Sequence, residues 1–194
     1  MAKGPTYRVK LRRRREGKTN YYKRRELLKS GETRAIIRRS TKNIRVQLVE
    51  SLSNGDKTLV ASSSLELSEY GWKLSGGNIP ASYLTGYLAG KRAIKAGNKT
   101  AILDLGLQRS TTGSRIYAAL KGMIDAGVDI SANEKIFPTE DVLQGAHIAT
   151  IAKAVKAVND DFKSVFSKYT KGKITPAKIT DHFNSVKAAI EEKN

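Results

Sequence analysis

The chain has no cysteine, two histidines, one tryptophan and two methionines among its 194 residues. Without thiols it forms no disulfide and offers no thiolate to a metal, a composition suited to a reducing compartment. His147 and His182 stand apart and lack the HExxH spacing, so a zinc site is short of ligands. Both fall inside helical patterns and read as surface or packing residues. Hydrophobic residues make up only 39% of the chain. No run approaches the ~18 apolar residues that a membrane span needs. The N-terminus carries charge with no apolar stretch behind it, which argues against a secretory signal. Basic segments that lie on lipid put Trp, Phe or Leu on one helical face; this one offers mainly tyrosine, so no membrane partner is expected.

Acid is the scarcest commodity at the N-terminus. Between Met1 and Arg45 there are 17 Lys or Arg against Glu16, Glu26 and Glu32, which is +14 of the chain's net +18. Such a concentrated field repels itself. A polyanion that neutralises it is the natural partner, and nucleic acid is the commonest one. Arginine supplies a planar fork for phosphate, lysine a point charge, and the interleaved tyrosines a ring for stacking on an exposed base.

Residues 1–18 show no sustained periodicity, and four successive arginines repel one another in any regular element standing alone. The segment reads as a tail that is disordered when free and ordered on its partner. A helix follows, with Thr19 as its N-cap and Gly31 just past its end. Tyr21, Tyr22, Leu27 and Leu28 form its narrow apolar stripe. Strands come next: Ala35 to Ile37, then Ile44, Val46 and Leu48 alternating with Arg45, Gln47 and Val49. Asn54-Gly55 marks a hairpin, and Thr58 to Ala61 returns. Arg45 and Gln47 fall on the face opposite the core.

Further on, Leu65 to Tyr70 is a short helical or irregular piece and Ser75 to Asn78 a loop. Ile79 to Ala96 is helical, with Leu84, Leu88 and Ile94 buried and a small-residue notch at Gly86 and Gly90. Ala101 to Leu105 suits a buried strand. Thr112-Gly113-Ser114 opens a helix through Ile116, Leu120, Met123 and Ile124. From Asp141, Val142, Ile148, Ile151, Val155, Val158, Phe162, Val165 and Phe166 recur at helical spacing. Tyr169 to Lys173 is a basic connector. Thr175-Pro176 starts a last helix with Ile179, Phe183, Val186 and Ile190 as its apolar face. The fold class is α/β: an antiparallel strand meander followed by helix, strand and helix. A basic arm and helix occupy residues 1–30, an α/β RNA-binding domain 31–130 and a C-terminal helical extension 131–194.

Catalytic constellations are poor. Asp104, at a strand's end, is a single carboxylate, whereas two-metal chemistry needs several converging on the ions. Gly86 to Arg92 has the wrong glycine spacing for a phosphate loop and lies within a helix. The loop Gln108 to Arg115 combines Arg109 and Arg115 with Ser110, Ser114 and a helix N-terminus, all suited to phosphate.

Several blocks together resemble the large-subunit ribosomal protein family L eighteen, in its archaeal form: Gly4 to Gly31, Ile36 to Val49, Leu84 to Ala93 and Leu103 to Gly122. Phe137-Pro138 and Gly145 to Ala149 resemble its archaeal C-terminal portion. The resemblance implies a structural protein of the cytoplasmic ribosome that takes part in translation, with no catalysis and no cofactor. Its partners would be 5S rRNA, large-subunit rRNA and neighbouring proteins of the central protuberance, with no small-molecule substrate. The RNA contacts it implies are Arg8, Lys10, Arg12, Arg13, Arg14, Arg15, Lys18, Tyr22, Arg24 and Arg25 in the arm. Arg38, Arg39, Lys42, Arg45 and Gln47 follow on the strands, then Arg109, Ser110, Ser114 and Arg115. The rival readings are a metal-dependent RNA-processing enzyme built on Asp104 and a DNA-compacting protein.

Overall fold

Alternation along the strands decides the sheet's two faces in the computed structural model, which describes residues 4–158, 166, 169 and 175–193. In β1 (Arg34–Arg39) and β2 (Ile44–Leu52), Ala35, Ile37, Ile44, Val46 and Leu48 are buried on one face. Arg45 on the other face is exposed and Gln47 half-buried. Val49, which alternation also assigns to that outer face, is buried beside a register shift between Leu48 and Val49. β3 (Gly55–Ser63) closes the hairpin with a loop of Ser53 and Asn54, since Leu52 pairs with Gly55. The turn thus sits one residue earlier than Asn54-Gly55. Gly55 opens the strand at φ +141°, a conformation that favours glycine.

The sheet has four strands in the order β3-β2-β1-β4. β4 (Ile102–Asp104) runs parallel to β1, with Asp104 opposite Ile36. Ahead of the sheet lie α1 (Arg12–Arg15) and α2 (Tyr21–Leu28). The buried face, that of Ala35, Ile37, Ile44, Val46 and Leu48, is covered by α3 (Ile79–Lys95) and α4 (Arg115–Asp125). Asn78 caps α3 through a 2.9 Å bond accepted from the Ala81 amide. A Cβ on Gly86 would lie 1.9 Å from the Ala119 carbonyl oxygen, and one on Gly122 2.2 Å from that of Tyr83. The two helices therefore cross backbone to backbone, and the notch at Gly86 is the reason they can. Ile94 is only half-buried, packing at the edge of this core.

α3 is buried on both sides. Its second face meets α5 (Glu140–Gln144), α6 (Ala146–Val158) and α7 (Ile179–Lys193), the last entered through a 3₁₀ turn at Pro176–Lys178. Ile179, Phe183, Val186 and Ile190 join Trp72, Tyr83, Leu84, Tyr87 and Leu143 in one cluster. His182 stacks on Trp72 with ring centroids 5.1 Å apart, a packing role. The apolar series from Val142 is not one helix: Gly145, at φ +89°, divides α5 from α6. Ile151 is 52% exposed, off the buried face. Phe162, Val165 and residues 170–173 of the connector lie outside the described residues. Among the described residues no helix is long and apolar enough to cross a membrane.

Candidate nucleic-acid interface

α2 starts at Asn20, whose Oδ1 accepts from the Tyr22 and Lys23 amides at 3.2 and 3.4 Å. Thr19, expected in that role, instead accepts from Arg13 Nε at 2.9 Å. Tyr21, Arg24, Leu27 and Leu28 are half-buried on the docking side, while Tyr22 is 74% exposed. Arg24 thus takes the place in the stripe that periodicity gives to Tyr22. The Tyr22 ring is left in the open, where it can stack on a base.

The reason lies beneath the helix. Arg24 clamps Asp56 with both nitrogens, at 2.8 and 2.6 Å. Asp56 also meets Arg34 Nη2 at 2.8 Å. Arg34 reaches Asp104 at 2.9 Å, and Asp104 holds Arg38 at 3.1 Å. Three arginines and two aspartates alternate in one line, joining α2, the start of β3, β1 and β4. The Arg34 side chain is only 1% exposed. A buried charge of this kind survives only where it is paired. Hydrogen bonding from Arg24 above all, followed by Arg34 and Ser51, holds the Asp56 carboxyl well below its ordinary range despite burial. Arg24 is raised in turn, chiefly by that bond to Asp56. Asp104 accepts from the Gly106 amide at 2.7 Å as well, so both its oxygens are engaged. Among the described residues no group of three or more His, Asp or Glu side chains could hold a metal. Asp104 is a structural ion-pair partner.

This line of charges floors a cleft of about 700 Å³ between the arm and the sheet, with Arg13, Lys18 and Lys23 on its walls. The arm itself is not structureless. Arg12 to Arg15 form a single helical turn, with Glu16 within 3.2 Å of Arg12 and 2.9 Å of Lys18. Glu16 offsets the repulsion that four arginines would otherwise impose. Arg8, Lys10, Arg12 to Arg15, Lys18 and Arg25 are all exposed, as are Lys42, Arg45 and Arg109. Arg38 and Arg45 face each other across β1 and β2 on the outer face, with Gln47 beside Ile36 in the same register. Like charges directly opposite are unfavourable in a sheet; Asp104 relieves one of the two, and an anion from outside would relieve the other.

The loop before α4 differs from its sequence reading. The Ser110 hydroxyl bonds the Tyr117 hydroxyl, and the Ser114 Oγ is buried without a partner, capping nothing. The Gly113 and Ser114 amides bond the Ile136 and Thr111 carbonyls. These two hydroxyls and two amides are therefore engaged or buried within the fold. Arg115 donates to the Ser40 and Gly77 carbonyls at 3.2 and 2.8 Å, and it stands near Arg39. Arg34 and Asp56, which hold the interface together, carry no motif. Only their distance in sequence from their partners is recorded in the chain, so no local signal could have found them.

The family model described as ribosomal large subunit proteins 60S L5 and 50S L18 matches residues 5–99 and 95–133. Over 194 residues the chain is 47% identical to large ribosomal subunit protein uL18 of Aeropyrum pernix, spanning 99% of this chain and 91% of that protein. It is 46% identical over 193 residues to the uL18 of Thermofilum pendens, spanning 99% and 98%. Against the uL18 of Methanosphaera stadtmanae it is 45% identical over 192 residues, again spanning 99% and 98%.

Proposed function

The chain belongs to the archaeal type of the uL18 family, structural proteins of the large ribosomal subunit and not enzymes, and from that premise we propose that it binds 5S rRNA. On this reading it helps fix 5S rRNA to the large-subunit rRNA in the central protuberance of the cytoplasmic ribosome, beside neighbouring ribosomal proteins.

One observation carries the proposal: the cations divide into those used inside the fold and those left for a partner. Arg24, Arg34 and Arg38 are matched by Asp56 and Asp104. Arg8, Lys10, Arg13, Arg14, Arg15, Lys42, Arg45 and Arg109 stand outside every ion pair of the described residues. The matched set aims the unmatched set. The ion-pair line anchors α2 on the sheet, and α2 directs the arm that precedes it. The arm then neutralises phosphates, whatever the sequence, while the rigid strand face presents Arg45 and Gln47 to one RNA shape.

The test is binding of the full chain to 5S rRNA and to an unrelated structured RNA across a salt series. If about six cations meet phosphate, affinity falls on the order of a thousandfold between ~50 and ~200 mM salt. 5S rRNA is expected to bind more tightly at each point. A flat salt profile, or equal affinity for both RNAs throughout, would refute the proposal.

A further inference from the structure

An open sheet has two edge strands, and each is a template on which another chain can pair. β4 hardly offers one: it is three residues long, and Thr100 just ahead of it already bridges Asp129. β3 is nine residues long and stands at the other end of the sheet. Its pairing with β2 fixes what it presents. The Ser64 amide donates to the Ile44 carbonyl at 3.0 Å, and Ser62 and Val60 stand opposite Val46 and Leu48. Antiparallel alternation therefore turns the N–H and C=O groups of Val60, Ser62 and Ser64 toward β2, and those of Ala61 and Ser63 outward.

The stretch itself carries none of the side chains that usually blunt an edge. Val60, Ala61, Ser62 and Ser63 include no proline, no lysine and no other charge, and Ala61 is exposed. The register shift of β3 lies before them, opposite Leu48 and Val49. One group reaches this edge from elsewhere. Arg92, near the end of α3, donates through Nη1 to the outward Ala61 carbonyl at 2.8 Å. The same nitrogen is braced by Glu66 Oε2 at 2.6 Å, in the 3₁₀ turn Glu66–Tyr70 that follows β3. The acceptor in the middle of the open edge is thus already filled, and a guanidinium charge stands where an incoming strand would lie.

We propose that Arg92 is an edge guard, and that the partner it keeps out is β3 of a second copy of this chain. The edge is self-complementary. With a two-fold axis at Ser62, Ala61 falls opposite Ser63 of the second copy and Ser63 opposite its Ala61. Four backbone hydrogen bonds then form between small, uncharged residues, with no like charges opposed in either pair. With Arg92 in place the Ala61 carbonyl is taken in both copies, and pairing would bring two guanidinium groups to one seam. The guard keeps the chain single and its outer sheet face undivided. The inference is independent of which RNA the protein binds.

The test is sedimentation equilibrium of the full chain without RNA at ~0.5 M salt, where charges are screened within roughly 4 Å and the net +18 no longer keeps copies apart. The natural chain is expected to stay a monomer at every concentration. Arg92→Met keeps an unbranched stem but no donor, and its mass is expected to climb toward that of a dimer as concentration rises. Lys91→Met removes a charge from the neighbouring residue and is expected to stay monomeric. Hydrogen exchange locates the contact: the Ala61 and Ser63 amides exchange freely in the natural chain and become protected as Arg92→Met associates. Adding Ala61→Pro, which removes an outward N–H that β2 does not use, is expected to restore the monomer. Should Arg92→Met fail to fold, Arg92→Gln is measured in the same way. A folded Arg92 variant that stays monomeric would overturn the proposal. So would association without protection at Ala61 and Ser63, or equal association of Lys91→Met.

Discussion

Asp104→Asn tests whether the alternating line of charges holds the fold. The substitution keeps the shape of the side chain and an oxygen for the Gly106 amide, but it removes the anion shared by Arg34 and Arg38. The Arg34 side chain is 1% exposed and that of Asp104 8%, so this pair is desolvated. Removing one partner of a buried pair costs about 3–5 kcal/mol, because the other charge stays buried and unmatched. Two facts place the loss at the low end. Arg34 keeps Asp56 at 2.8 Å, and the Arg38 side chain is 39% exposed, so water takes over part of its solvation. A loss of ~3 kcal/mol lowers the melting temperature by roughly 6–12 °C in a chain of this size. Urea unfolding of the free protein at neutral pH reads the change as a lower midpoint with an unaltered slope. A loss under ~1 kcal/mol would refute the reasoning, since the line would then behave like a surface salt bridge. The same variant bears on the metal reading: a carboxylate that serves only a metal is dispensable to the metal-free fold.

Gly86→Ala puts a methyl group 1.9 Å from the Ala119 carbonyl oxygen, so α3 and α4 must separate. A loss of at least ~3 kcal/mol is expected in thermal unfolding, and a change below ~1 kcal/mol would show that the helices do not cross so closely. Acid should also loosen the fold through Asp56. Its carboxyl is held below the ordinary 3.8, so the linked stability is full above about pH 4 and drains as pH falls below it. The gap in melting temperature between the natural chain and Asp56→Asn should therefore narrow from pH 5 to pH 2; a constant gap would count against the ion pair. Residues 4–18 bury no side chain. Deleting residues 1–18 should accordingly move the melting temperature by less than ~2 °C while RNA affinity drops, and an unfolded truncation would make the arm part of the core. Arg45→Ala with Gln47→Ala should weaken 5S rRNA binding more than binding to an unrelated RNA at one salt concentration. Equal losses would move specificity elsewhere.

What could be read from the sequence alone is what depends on neighbours along the chain. The period of two in Ile44 to Leu48 determined which face of β2 is buried. The spacing of Ile179, Phe183, Val186 and Ile190 determined the buried side of α7, and Gly86 with Gly90 marked a small-residue notch on α3, whose partner only the fold supplied. The surplus of cations before Arg45 is likewise a property of composition. What only the tertiary structure decided is which cations remain free. Arg24 meets Asp56 across 32 residues, and Arg34 meets Asp104 across 70. Ser110 looked like a phosphate donor until the fold brought Tyr117 against it. Asn20 displaced Thr19 as the cap because Arg13 occupies the threonine hydroxyl. A local pattern records how a residue faces its own helix or strand. It carries no record of the opposite charge that the fold will bring alongside, and that charge determines whether an arginine supports the structure or meets RNA.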